Sequence, residues 1–199
     1  MSEFSVSDVD ELDDLDDLDV EAWTGPLRID EDVDVVVGRL PEASVIAFLH
    51  HEAAVCDAHQ YQQWLDLWHP SEGLYWVCGP GPCDSVADGY THASVIFDNR
   101  RRLANRIRQL QTNKRHSQIP RSSLVRTLSN FREVSPPGGP EIECWVNWNL
   151  SEFRNENMRY WAGTTLYRLQ PAGNSYLIVE KRVLLINREG AINTFGFLV

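Results

Sequence analysis

The chain has 199 residues, 43% of them apolar, enough for one domain with a substantial core. No window approaches the ~18 apolar residues that span a bilayer, and no basic stretch followed by an apolar one marks a secretory signal, so a soluble cytoplasmic protein without a membrane partner is expected. The net charge of -11 is uneven: residues 1–34 hold 14 acids and one base, Arg28, leaving 15 acids against 17 bases elsewhere, a balance that argues against a nucleic-acid partner.

Residues 1–40 therefore read as an acidic, disordered leader, with the folded domain at 41–199. Val45, Phe48, Leu49, Ala53 and Cys56 recur at helical spacing after Pro41. Tyr61, Trp64, Leu65 and Trp68 mark a second amphipathic piece that ends at Pro70. Leu74–Cys78 is aromatic and β-branched, hence a strand, and Gly79–Pro82 is a turn. Gly89–Phe97 fits a further extended segment, and Asp98 fits the cap of a helix with Leu103, Ile107 and Leu110 on one face. Thr112–Pro120 reads as a polar loop. From Ser122 the periodicity changes from about 3.6 to 2. Ile142, Cys144, Val146, Trp148 and Leu150 alternate with more polar residues, and 158–169 and 176–186 have strand composition. Helices first and long strands afterwards predict an α+β domain. A long, curved antiparallel sheet wrapped around the N-terminal helices is the simplest way to bury both stripes.

Signatures of chemistry are sparse. His50 and His51 are adjacent and diverge on a helix, His92 stands alone, and no histidine pair has i, i+4 spacing beside a carboxylate. Of the four cysteines, Cys78 and Cys83 flank a Gly-Pro-Gly-Pro turn without the second pair a zinc site needs, and all four are expected as reduced thiols. Nucleophile elbow, phosphate loop and dinucleotide fingerprint are all missing. No catalytic, cofactor-binding or metal residue is assigned. If the chain is an enzyme in its own right, Asp57, Tyr61, Trp64, Trp68 and His92 are the residues that would line a pocket for general acid–base chemistry.

The order of short motifs is more specific than any one of them. His50-His51-Glu52-Ala53, Asp57, Trp64-Leu65-Asp66-Leu67 and Leu74-Tyr75-Trp76-Val77 open the pattern. Ser94 to Arg100, Arg102-Leu103, Arg106-Ile107, Pro120-Arg121-Ser122 and Arg126 to Asn130 continue it. Gly163, Tyr167-Arg168 and Lys181 to Asn187 complete it. In this order they resemble the small (beta) subunits of aromatic-ring-hydroxylating dioxygenases over about residues 43–199. The resemblance implies the cone-shaped α+β fold of nuclear transport factor and SnoaL-like proteins. It also implies a large (alpha) subunit partner that carries the Rieske 2Fe-2S cluster and mononuclear iron, with no cofactor in this chain. Three large and three small subunits would assemble, the small ones meeting as a trimer. Arg126 stands where the family often has histidine, and the Cys78–Cys83 turn departs from the family pattern.

For such a subunit the interface candidates are Trp76, Arg100, Arg101, Arg102, Arg106, Trp145, Trp161 and Phe197. The arginines cluster on one short helix beyond what solubility requires, and tryptophan is frequent at interface hot spots. The expectation is a non-catalytic subunit of a ring dioxygenase. The alternatives are a stand-alone isomerase or dehydratase acting on a small cyclic substrate, and a binding module without catalysis.

Overall fold

A computed structural model describes residues 38–111, 120–136, 138–192 and 196–199. The acidic leader up to residue 37 and residues 112–119 of the expected loop lie outside the described residues. In chain order the elements are α1 (Ala43–Asp57), α2 (Tyr61–Asp66), β1 (Leu74–Cys78), α3 (Val86–Thr91), β2 (Ser94–Asn99), α4 (Arg100–Gln111), β3 (Ser123–Glu133), β4 (Ile142–Arg154), β5 (Asn157–Ala172) and β6 (Ser175–Leu185).

The apolar spacing of α1 buries Val45, Phe48, Leu49, Ala53, Val55 and Cys56. The helix ends where His59 adopts a left-handed φ of 56°, which turns the chain into α2. Asn99, not Asp98, caps α4, its side-chain oxygen accepting from the Arg102 amide at 3.0 Å. Asp98 is instead free to pair with Arg106. The segment read as loop and strand at 86–91 is the short helix α3, opened by a reciprocal Ser85–Asp88 capping box.

The six strands lie in the order β2-β1-β6-β5-β4-β3. Tight turns set the register of the long hairpins. Asn155 and Glu156, with φ of 49° and 61°, form the two-residue link between Arg154 and its partner Asn157, as hairpin twist favours. Gly173 (φ 60°) opens the corresponding turn between Ala172 and Ser175.

The expected cone with a curved antiparallel sheet is not what forms. β1 runs parallel to β6, Leu74–Val77 pairing with Glu180–Val183, so the sheet is mixed. Its outermost strands, β2 and β3, are not paired with each other, so among the described residues the sheet stays open and is not wrapped into a cone. Alternation along single strands could not foretell this. A short strand placed early in the chain pairs with the last one, and only tertiary contacts fix its direction.

The helices α1, α2 and α4 pack on one face of the sheet, and the main core lies between. Trp148 lies over Gly163 in this core, where a Cβ would meet the Leu184 carbonyl oxygen at 2.5 Å and the indole at 2.8 Å. Phe197, Leu198 and Val199 are buried in the same core. On the opposite face, Trp76, Cys78 and Cys83 form a smaller cluster with Phe97 and Leu184. The rest of that face carries exposed Val125, Phe153, Met158, Tyr160 and Ile186.

Candidate functional site

The centre of the helix-facing core holds a buried ion pair. Glu52 sits on the apolar stripe of α1 and is fully buried, as is Lys181 in β6. Lys181 Nζ donates to Glu52 Oε1 at 2.7 Å, Trp64 Nε1 donates to the same oxygen at 2.5 Å, and the Tyr167 hydroxyl donates to Oε2 at 3.0 Å. The ammonium also lies over the rings of Trp64 and Tyr167, 5.6 and 5.4 Å from their centroids. Burial pushes the Glu52 carboxyl upward, but the charges of Lys181 and Arg126 and the hydrogen bonds from Lys181 and Trp64 outweigh it. The carboxyl is held below its ordinary range.

Beside this group, Arg126 Nη2 of β3 donates to Asp57 Oδ1 at 2.9 Å and to the Leu198 carbonyl at 3.3 Å. Its guanidinium faces the Trp148 ring at 5.7 Å. Tyr75 donates its hydroxyl to the Val199 carbonyl at 3.0 Å and accepts from the Val199 amide at 3.1 Å. Cys56 donates to the Leu198 carbonyl at 3.4 Å, and burial pushes its thiol up to about 11. The segment 197–199 is thus tied to α1, β1 and β3 by polar contacts inside an apolar core. Glu152 completes the group, accepting from Ser122 at 2.6 Å and from Trp161 at 3.1 Å.

The arrangement is only partly satisfied, since Trp68 Nε1 and Arg126 Nε are buried without a hydrogen-bond partner among the described residues. Both Glu52 oxygens accept from this chain's own donors, and Trp64, Trp68 and Tyr75 stack edge to face at 5.1 to 5.9 Å. A surface groove of about 560 Å3 lies elsewhere, lined by Arg39, Glu133, Glu141 and Tyr176 among others. Among the described residues no group of three or more His, Cys, Asp or Glu is placed to hold a metal ion.

The five pocket candidates are only partly gathered. Tyr61, Trp64 and Trp68 share the main core. Asp57 pairs with Arg126, and burial, opposed by Arg126 and Lys181, raises its carboxyl. The Tyr61 hydroxyl meets His59 Nδ1 at 2.6 Å, while His59 Nε2 faces the Ser122 carbonyl at 2.8 Å. His92 is exposed at the end of α3 and bonds to Thr91 and the Asp88 carbonyl.

The interface candidates divide by burial. Trp76, Trp161 and Phe197 are buried within the chain itself. Trp76 donates to Ser94 at 2.9 Å under the Arg182 guanidinium, and Trp161 meets Phe197 edge to face at 5.9 Å. Trp161 therefore lies on the helix-facing side of β5, in the main core. Trp145 is half-buried on the outer side of β4, and Arg101 and Arg102 are exposed on α4. Arg106 is held by Asp98 at 2.5 Å, and Arg100 is half-buried.

Glu52, Lys181, Tyr167, Arg126 and Glu152 were not singled out as site residues from sequence. A signal existed. Glu52 falls four residues after Phe48 and four before Cys56, on the apolar stripe of its own helix, and Lys181 falls in phase with Val179 and Val183. A charged residue on a buried phase implies an opposite charge facing it.

Comparison with known proteins agrees with the motif order. The family model described as ring hydroxylating beta subunit matches residues 51–189. The chain belongs to this family. It is 26% identical over 145 residues to the small subunit of 2-halobenzoate 1,2-dioxygenase from Burkholderia cepacia, covering 72% of this chain and 87% of that one. It is 28% identical over 142 residues to the beta subunit of benzoate 1,2-dioxygenase from Acinetobacter baylyi, covering 70% and 83%. In fold it matches the crystal structure of the benzoate 1,2-dioxygenase beta subunit from Burkholderia mallei. There the TM-score is 0.61 at 23% identity, over 75% of this chain and 93% of the other. As a member of this family the chain is a non-catalytic small subunit whose partner is a catalytic large subunit.

Proposed function

We propose that this small subunit supports an assembly of three large and three small chains. In it the large chains hold a Rieske 2Fe-2S cluster and a mononuclear iron and add two hydroxyls to an aromatic ring with O2. The observation that carries the reading is the exposed apolar face of the sheet. Glu52, Lys181 and the segment 197–199 pack the core with a paired charge and backbone contacts, and a surface for assembly lies on the other side of the sheet. Val125 and Tyr160 flank Ser151 in one row across β3, β4 and β5, Phe153 pairs with Met158 in the next, and Ile186 follows beside Ala162. Exposed aromatic and aliphatic side chains grouped in this way mark a docking surface. We assign this face, with Trp145 at its margin and Arg101 and Arg102 on α4, to contacts with neighbouring subunits.

The relatives named above are small subunits of dioxygenases named for 2-halobenzoate and benzoate, which supports an aromatic carboxylate as the substrate of the complex. The test is oxygenase activity on benzoate with a matched reductase. Product is expected only when large subunit and this chain are present together, with iron bound to the large subunit. Turnover of benzoate by the large subunit alone at an undiminished rate would contradict the supporting role.

A further inference from the structure

Four cysteines are present and all are reduced, but their surroundings differ. Cys56 and Cys144 each point at a backbone carbonyl, of Leu198 and Trp145 respectively. Cys78 and Cys83 instead share one small cluster with Trp76 on the outer side of the sheet. We propose that Cys78 and Cys83 are an oxidisable pair, converted by a hydroperoxide into an intrachain disulfide that clips the Gly79–Pro82 turn to the end of β1.

Three features of the site carry this. First, the turn is stiff and already closed. Pro80 and Pro82 fix two φ angles, and Gly81 takes a φ of 95° that other residues rarely adopt. Gly79 packs so tightly on the Ala93 carbonyl that no Cβ fits there. A chain reversal held in this way keeps the two cysteines in one cluster, so closing the short loop between them adds little entropic cost. Second, Cys83 Sγ accepts from Arg188 Nη1 at 2.9 Å, and the same nitrogen donates to the Gly81 carbonyl at 2.8 Å. A cation in contact with the sulfur is the setting that oxidisable cysteines share. Third, Arg182 Nη1 donates to the carbonyls of Cys83 at 2.9 Å and Asp84 at 2.6 Å, fixing the backbone that carries the sulfur.

The chemistry balances with one peroxide. Cys83 lies between exposed Pro82 and Asp84, nearer to solvent than Cys78, and its sulfur attacks the O–O bond of hydrogen peroxide. A sulfenic acid forms and the first water leaves. The Cys78 sulfur then attacks the sulfenic sulfur: the S–S bond forms, the S–O bond breaks, and the Cys78 proton leaves with the hydroxyl as the second water. Two electrons pass from the thiols to the peroxide, and a dithiol reductant reverses the reaction.

The test treats the full-length folded chain with a modest excess of hydrogen peroxide, quenches it, and titrates thiols in denaturant. The expected result is a fall from four free thiols to two, recovered by dithiothreitol, with the peptide spanning residues 78–83 lighter by two hydrogens. The C56S/C144S variant keeps this response, and C78S and C83S each lose it. Four persisting thiols, or Cys83 found as a sulfinic acid beside an intact Cys78 thiol, would overturn the proposal. The mapping on the unaltered chain decides the matter even if a serine variant does not fold.

Discussion

Glu52 and Lys181 illustrate how much one buried charge depends on its neighbours. Each is fully buried, and each is tolerated because the other lies 2.7 Å away with Trp64 and Tyr167 completing the hydrogen bonds. Removing one partner strands the other, which costs about 3–5 kcal/mol, whereas replacing both by apolar residues of similar volume is close to neutral. Glu52→Ala is therefore expected to lower stability by about 4 kcal/mol, and Glu52→Leu combined with Lys181→Met to recover most of it, as read by urea unfolding. The acid limb of stability follows from the same site. The Glu52 carboxyl titrates below its ordinary value of 4.5 when folded, so its contribution is complete above that pH and is lost as the pH falls through the folded value. The Asp57 carboxyl is raised, so its contribution has the opposite sign: full below its unfolded value and lost as the pH rises through the folded one. Melting temperature against pH should then fall less steeply on acidification in Glu52→Gln than in the unaltered chain, and more steeply in Asp57→Asn.

Among the elements, the long hairpins were legible because one signal dominates them. Ile142 to Leu150 alternate without interruption, and two-residue turns follow β4 and β5. The helices α1, α2 and α4 were equally plain from their apolar spacing. What escaped was α3, whose four-residue box Ser85–Asp88 is a capping signal without an apolar run behind it, since the helix buries none of its residues. The parallel β1–β6 pairing and the open sheet escaped for another reason. Five residues of β1 carry no information about which distant strand they join. The polar core was partly visible in Glu52 and Lys181, but their pairing across 129 positions needs the fold. Gly163 shows the tightness of the result. Its missing side chain leaves room for the Trp148 ring and the Leu184 carbonyl, and backbone in mid-sheet yields little. Gly163→Ala is expected to cost about 1–3 kcal/mol, seen as a lower denaturation midpoint with an unchanged slope. An alanine variant as stable as the parent would show that β5 and β6 can move apart.

At the scale of the whole molecule, the described residues pack the helix-facing side of the sheet and leave apolar side chains exposed on the outer side. Val125, Tyr160 and Ile186 are each 70–80% exposed, a cost in water that makes sense where another subunit covers them. Tyr160→Asp with Ile186→Asp leaves the core untouched and is expected to keep the melting temperature of the isolated chain. The same change weakens association with the large subunit or between small subunits at least tenfold, the cost of losing buried aromatic and aliphatic anchors. An unchanged affinity in both contacts would move the interface to another surface. Whether the chain is an assembling subunit can be read from light scattering on the purified chain, alone and co-expressed with its large subunit. One particle containing equal numbers of both chains is expected, with iron present only when the large subunit is. A small chain that keeps the same mass and stays separate from the large subunit would contradict it.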